Sequence, residues 1–401
     1  MSKIVVIGAG QAGSSLVAKL RSLGFGGQVT LIGEEVDPPY QRPPLSKAYL
    51  LGDMARERLY LRPESFYDDH KIELKLGKPV NGVNLDAKTI NLDGETINYD
   101  QLAFTTGSTP RRLPARIGGD LGGVHVVRTL ADVDAMAPAC QPGKAALVVG
   151  GGYIGLEAAA VLRKLGLSVT VVEMADRILG RVAAPETSDY FRALHQSHDV
   201  DLREGVGLDH LTGDGQVNGA VLTDGRVVPA DLVIVGVGIE PAARLAQDSG
   251  LEVNNGIVVD DRGRTSDPSI WAAGDCAIFP YRGTHMRLES VQNAIDQAEA
   301  VAANMLGADT AYVPKPWFWS DQYDVKLQIA GLNIGYDRVV IRDGGETRSH
   351  WYYAGDILLA VDAMNDPRGY MVGKRLIEAG KSPDPAIIAD AATDLKPLLR
   401  A

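Results

Sequence analysis

Two stretches of this 401-residue chain share one construction, and that repetition limits the fold more than any other feature. Ile4-Val5-Val6-Ile7 runs into Gly8, Gly10 and Gly13; Ala146-Leu147-Val148-Val149 runs into Gly150, Gly152 and Gly155. Each reads as a buried strand, a G-x-G-x-x-G turn and an apolar helix. The first glycine permits the tight turn, the second lets the backbone approach a pyrophosphate, and the third lets helix pack on strand. The helix N-terminus then faces phosphate charge.

The parallel continues downstream. A second strand at 29–32 leads to Glu34, and one at 168–172 leads to Glu173, each an acid suited to ribose hydroxyls. Segments 89–97 and 220–228 read as hairpins around Asp93-Gly94 and Asp224-Gly225. Each precedes an apolar strand ending in glycine, at Gly107 and at Gly238, with Pro110 and Pro241 beyond. Four features in one order read as two copies of a dinucleotide-binding unit, the second inserted into the first. Two sites suggest two nucleotides, most simply a bound flavin and a diffusing nicotinamide nucleotide.

The pattern changes after residue 313. Segments 325–330, 338–342 and 350–364 read as antiparallel strands, the last turning at Gly355-Asp356, with helices near 369–380 and 384–400. The expected fold is therefore α/β, with two Rossmann-like domains and a C-terminal α+β domain. The first Rossmann-like domain takes residues 1–112 and 240–315, the second 113–239, and the α+β domain 316–401.

Composition removes several alternatives. A net charge of −11 argues against general nucleic-acid binding. No window approaches the roughly 18 uncharged apolar residues of a membrane helix. The start, Met1-Ser2-Lys3 into a strand, lacks the apolar core of a signal peptide. A cytoplasmic protein with no membrane association is expected. Cys140 and Cys276 form no CxxC pair and read as buried thiols. The histidines give no metal signature, and no metal is expected. His195 and His198 are read as a solvated helix face.

Longer blocks carry a family resemblance. They are Arg42-Pro43-Pro44-Leu45-Ser46-Lys47-Ala48-Tyr49-Leu50, Gly150-Gly151-Gly152-Tyr153-Ile154-Gly155-Leu156-Glu157, and Thr265-Ser266-Asp267-Pro268. Further blocks are Ala273-Gly274-Asp275-Cys276-Ala277, Glu289-Ser290-Val291-Gln292-Asn293-Ala294 and Pro316-Trp317-Phe318-Trp319-Ser320-Asp321-Gln322-Tyr323. Over essentially its whole length the chain resembles the FAD-dependent ferredoxin reductases that serve bacterial oxygenases.

The resemblance implies tightly but non-covalently bound FAD, NADH as donor, and a [2Fe-2S] ferredoxin as acceptor. The ferredoxin would supply a cytochrome P450 or a Rieske-type oxygenase. It implies FAD contacts at Gly8, Gly10, Ala12, Gly13, Glu34, Arg42, Lys47, Val80, Arg128, Asp275, Val291 and Trp317. It implies NAD contacts at Gly150, Gly152, Tyr153, Ile154, Gly155, Glu157, Glu173 and Gly238. Lys47 and Glu157 are the expected catalytic pair. Glu157 is placed on the first turn of its helix, and Lys47 is expected to balance charge on a reduced flavin.

Glu173 favours NADH by repelling a 2′-phosphate, while Arg177 and Arg181 nearby weigh toward NADPH. Arg56, Arg58, Arg62, Lys374 and Arg375 are candidate docking residues for an acidic partner. One of Trp317 and Trp319 is expected beside the flavin or nicotinamide. A monomer or weak dimer is expected. The alternatives are a flavin reductase or diaphorase with another acceptor, and a redox-switched NAD-binding flavoprotein.

Overall fold

The computed structural model describes residues 2–400. It divides into two compact units. The first comprises the N-terminal stretch through Arg42, Ala55–Thr109 and Ile239–Pro316; the second comprises Pro43–Met54, Pro110–Gly238 and the chain from Trp317 onward.

The first unit is built on a five-stranded parallel sheet in the order Ile270–Ala272, Gln101–Phe104, Lys3–Ile7, Gln28–Ile32, Ile72–Lys75. The central strand buries Ile4, Val5, Val6 and Ile7, as a parallel strand covered on both faces requires. Helix Gln11–Ser22 lays Ala12, Leu16, Val17 and Leu20 into one cluster with Ala298, Val301 and Met305 of helix Val291–Met305. The expected hairpin forms as Thr89–Leu92 and Glu95–Asn98. Asp93 (φ 53°) and Gly94 (φ 87°) both take the left-handed conformation that a tight two-residue turn needs.

The second unit repeats the plan. Its parallel sheet has the order Asp201–Glu204, Ser168–Glu173, Ala145–Val149, Leu232–Val235, Val124–His125. Here the hairpin at 220–228 gains an unforeseen outer strand, Leu208–Asp214.

The same unit carries an antiparallel sheet ordered Trp317–Gln322, Val325–Gly331, Ile357–Met364, Arg348–Ala354, Arg338–Asp343. Helix Pro367–Glu378 covers one face through Tyr370, Val372 and Leu376. Leu327 and Met364 join Leu156 and Phe191 in another cluster.

The expected helix over 384–400 is only Pro385–Ala389 followed by a 3₁₀ turn at Lys396–Leu399. The Arg342 guanidinium donates to the carbonyls of Ile388, Asp390, Ala391 and Thr393, the acceptors that a continuing helix would use itself. No helix among the described residues is long and apolar enough to cross a membrane.

Candidate functional site

The two glycine turns are superimposable in their logic. Gly8 has φ +113°, and a Cβ there would lie 2.2 Å from the Thr105 carbonyl oxygen; Gly150 has φ +107° and would meet the Gly236 oxygen at 2.4 Å. Gly13 and Gly155 let each helix close on its own turn, since a Cβ would come within 2.0 and 2.2 Å of the Gly8 and Gly150 carbonyls. Gly10 and Gly152 open onto space with nothing within 4 Å. Each is the N-cap of its helix and supplies no side-chain acceptor for the first amides. Both loops therefore suit a pyrophosphate by shape and dipole.

In the first unit, more groups gather around that turn. Gly274 (φ +82°) brings its segment to 3.1 Å from the Ala12 methyl, measured from where a Cβ would stand, and Ala12 is buried. Asp275 follows, accepting from the Ser108 hydroxyl at 2.9 Å. Val291 opens its helix behind the Ser290 cap, which accepts from the Asn293 amide.

Arg42 donates to Glu35 at 2.5 Å and to the Tyr40 hydroxyl at 3.0 Å, and Tyr40 donates to Glu35. Burial works against the Arg42 charge, but Tyr40, Glu35 and Asp275 outweigh it and raise its pKa. The expected ribose acid, Glu34, is exposed on the same turn, while its neighbour Glu35 is the one engaged by Arg42. Val80 is half-buried at the start of strand Val80–Asn84. The donor set and the open glycine turn fit FAD.

The remaining expected FAD residues, Lys47, Arg128 and Trp317, belong to the second unit. There Lys47 lies 2.6 Å from Glu157, and the Glu157 side chain is 5% exposed. The Lys47 ammonium also donates to the Pro43 carbonyl at 3.2 Å. Helix Tyr153–Lys164 puts Glu157 on its second turn, one turn later than expected. Two residues that sequence reasoning missed complete the setting. The Ser46 hydroxyl donates to Glu157 Oε2 at 2.8 Å and the Ser320 hydroxyl to Oε1 at 2.7 Å. The sequence carried little signal of Ser320, which reads as one of a polar run, Ser320-Asp321-Gln322, behind the aromatics; only the structure buries Ser320 and Gln322.

Glu173 turns both oxygens onto backbone, accepting from Gly151 at 2.7 Å and from Ala175 at 2.8 Å. Arg177 is held elsewhere, donating to the Ser188 hydroxyl at 2.6 Å and to the Gly180 carbonyl at 3.3 Å. Arg181 is exposed. Gly238 (φ +103°) accepts from the Arg111 amide at 3.0 Å. Tyr153 packs 4.9 Å from the Phe318 ring, with burial pushing its phenol well up, while Ile154 is 45% exposed. Trp317 and Trp319 are half-buried, their rings 5.6 Å apart.

The histidine expectation fails for His195. It is fully buried and pairs through Nε2 with Gln322 at 2.8 Å; His198 is half-buried under the Tyr323 ring. The helix face they share points into the unit because Phe191 and His195 recur at a spacing of four. Of the docking candidates, Arg56 is paired with Asp37, Lys374 with Glu378, and Arg62 lies over the Phe66 ring; Arg58 and Arg375 are exposed. Both cysteines are buried and free. No cluster of three metal-ligating side chains occurs among the described residues.

Comparison with known proteins gives concordant results. A family model described as pyridine nucleotide-disulphide oxidoreductase matches residues 2–298, and one described as reductase C-terminal matches 317–399. Rhodocoxin reductase of Rhodococcus erythropolis is 44% identical over 399 residues, covering 98% of this chain and 93% of the relative. The reductase in the covalent putidaredoxin reductase–putidaredoxin crystal structure matches with a TM-score of 0.96 at 37% identity, covering 100% of this chain and 98% of that one. The ferredoxin reductase for the CYP199A2 system of Rhodopseudomonas palustris matches with a TM-score of 0.95 at 40% identity, covering 99% of both chains.

Proposed function

Because the chain belongs to the pyridine nucleotide-disulphide oxidoreductase family, we propose that it takes hydride from NADH and delivers electrons singly to a [2Fe-2S] ferredoxin. That ferredoxin would supply a cytochrome P450 or a Rieske-type oxygenase. The observation that carries the reading is the pair of glycine turns, each opening a helix onto empty space within its own unit. FAD, when bound, supplies the conversion between a two-electron donor and a one-electron acceptor.

The roles of the chain's own residues follow. Gly8, Gly10, Ala12 and Gly13 take the FAD pyrophosphate and Glu34 its ribose, with Arg42, Val80, Asp275 and Val291 lining the rest of that unit's cradle. Gly150, Gly152, Tyr153, Ile154 and Gly155 take the NADH phosphates, with Gly238 beside them. Glu173 disfavours a 2′-phosphate, and the engagement of Arg177 with Ser188 and Gly180 removes the nearest compensating cation. Lys47, anchored by Glu157, balances negative charge that develops on reduction. The two buried cysteines argue against disulfide exchange; burial pushes the Cys140 thiol up to about 11. Of the five docking candidates, Arg58 and Arg375 are the exposed ones available to an acidic ferredoxin. A cytoplasmic setting fits an enzyme that draws on NADH.

Anaerobic stopped-flow absorbance tests the reading. The yellow protein, mixed with NADH, should bleach fast, faster than with NADPH, and then reduce an oxidised [2Fe-2S] ferredoxin in a salt-sensitive step. Bleaching without ferredoxin turnover would reject the acceptor and favour a diaphorase or a redox-switched binding protein.

A further inference from the structure

The Lys47–Glu157 pair is one end of a longer buried run. Ser320, which donates to Glu157 Oε1, accepts from Gln322 Nε2 at 3.2 Å. Gln322 Oε1 meets His195 Nε2 at 2.8 Å, and His195 Nδ1 meets the Tyr323 hydroxyl at 3.3 Å. Ser320, Gln322 and His195 are each fully buried. Burial pushes the His195 imidazole down to about 4, so the ring is neutral at pH 7 and carries one N–H.

The direction of every bond then follows from donor chemistry. A carboxylate only accepts, so Ser320 must donate to Glu157 and use its oxygen to accept from the Gln322 amide. That fixes the Gln322 carbonyl toward His195, which must carry its proton on Nε2. His195 Nδ1 is left to accept from Tyr323. All four donors point toward Glu157, and the run leaves no alternative arrangement without an unmet buried group.

We propose that Ser320, Gln322 and His195 are positioning residues, which hold the Glu157 carboxylate in the one rotamer that anchors Lys47. The inference rests on the proposed role of that pair. Ser46 and Lys47 hold only Oε2. Without Ser320 the other oxygen has no side-chain donor, and the carboxylate is held through Oε2 alone. A lysine set off its position would serve the transfer of hydride less well while leaving nucleotide affinity intact.

The test combines rates with histidine ¹⁵N NMR on the FAD-loaded protein. His195 should show the Nε2–H tautomer. His350, whose Nε2 accepts from Arg348 at 3.1 Å, supplies the opposite tautomer as an internal reference. Ser320→Ala should free the Gln322 amide and mix the His195 tautomers, which a loss of packing alone would not do. It should slow flavin reduction by NADH about 10-fold with NADH affinity within about 2-fold, and Ser320→Thr should restore both readouts. In the Glu157→Gln background, Ser320→Ala should slow reduction no further. A wild-type His195 protonated on Nδ1, or an additive double variant, overturns the proposal. An unchanged rate in Glu157→Gln itself would instead reject the catalytic role of the pair, and this inference with it.

Discussion

Glu173 accepts a 2.7 Å hydrogen bond from the amide of Gly151, so the acid proposed to select the nucleotide also braces the turn proposed to bind it. Glu173→Gln keeps the shape but removes the charge and one acceptor oxygen. Steady-state kcat/KM for NADH should fall about 10-fold, equivalent to about 1.4 kcal/mol, and the ratio of NADH to NADPH use should fall further. An unchanged ratio would move cofactor choice to another residue.

The duplicated turns permit a clean separation of the two nucleotides. Gly8→Ala and Gly150→Ala each force a Cβ against a carbonyl in a backbone conformation that L residues rarely adopt, at a cost of about 3 kcal/mol. Gly8→Ala should yield protein poor in flavin. Gly150→Ala should yield yellow protein that NADH bleaches slowly. Flavin content by absorbance and NADH affinity by titration check the pair, and equal flavin loss in both would contradict it.

Arg42 holds Glu35 at 2.5 Å with the Arg42 side chain 27% exposed. Arg42→Met should lower stability by about 1–2 kcal/mol, less than a fully buried pair because solvent screens it. Thermal melts should record this together with faster FAD loss on dialysis. Normal retention of FAD would remove Arg42 from its cradle.

Acid stability tests the buried polar cluster at Asp362. Burial pushes His195 and His350 down to about 4, and pushes the Asp362 carboxyl up to about 6. The histidines therefore contribute stability that is present above their unfolded value near 6.5 and lost as pH falls toward 4. Asp362 has the opposite sign: its contribution is full below 3.8 and lost as pH rises through about 6. Two groups oppose one, so these three together should remove about 3 kcal/mol of stability between pH 6.5 and 4. In melts across that range, Asp362→Asn should steepen the acid limb and His350→Gln should flatten it. A slope untouched by either would place the acid sensitivity elsewhere.

The nucleotide turns were legible because each is local: strand and glycines lie within eleven residues and the helix follows at once, and the glycine spacing encodes the close approaches at Thr105 and Gly236. The hairpin at Asp93-Gly94 was readable for the same reason. Ser46 and Ser320 were not, because they meet Glu157 from segments more than 100 residues away, and a serine carries no periodic signal of what it will touch. His195 misled because two histidines three apart look like a polar face, whereas the buried partner, Gln322, arrives from a strand more than 100 residues away in sequence. The C-terminal helix was over-read for want of Arg342, whose claim on four carbonyls is invisible in its own segment.

The two glycine turns differ in one respect that their shared geometry conceals. The second residue of the first helix, Ala12, is roofed by the segment at Gly274, whereas its counterpart on the second helix, Ile154, stands 45% exposed. If the two turns hold the two nucleotides as proposed, one fold should show two residence times: slow exchange under the Gly274 roof, and arrival and departure within each turnover at Ile154.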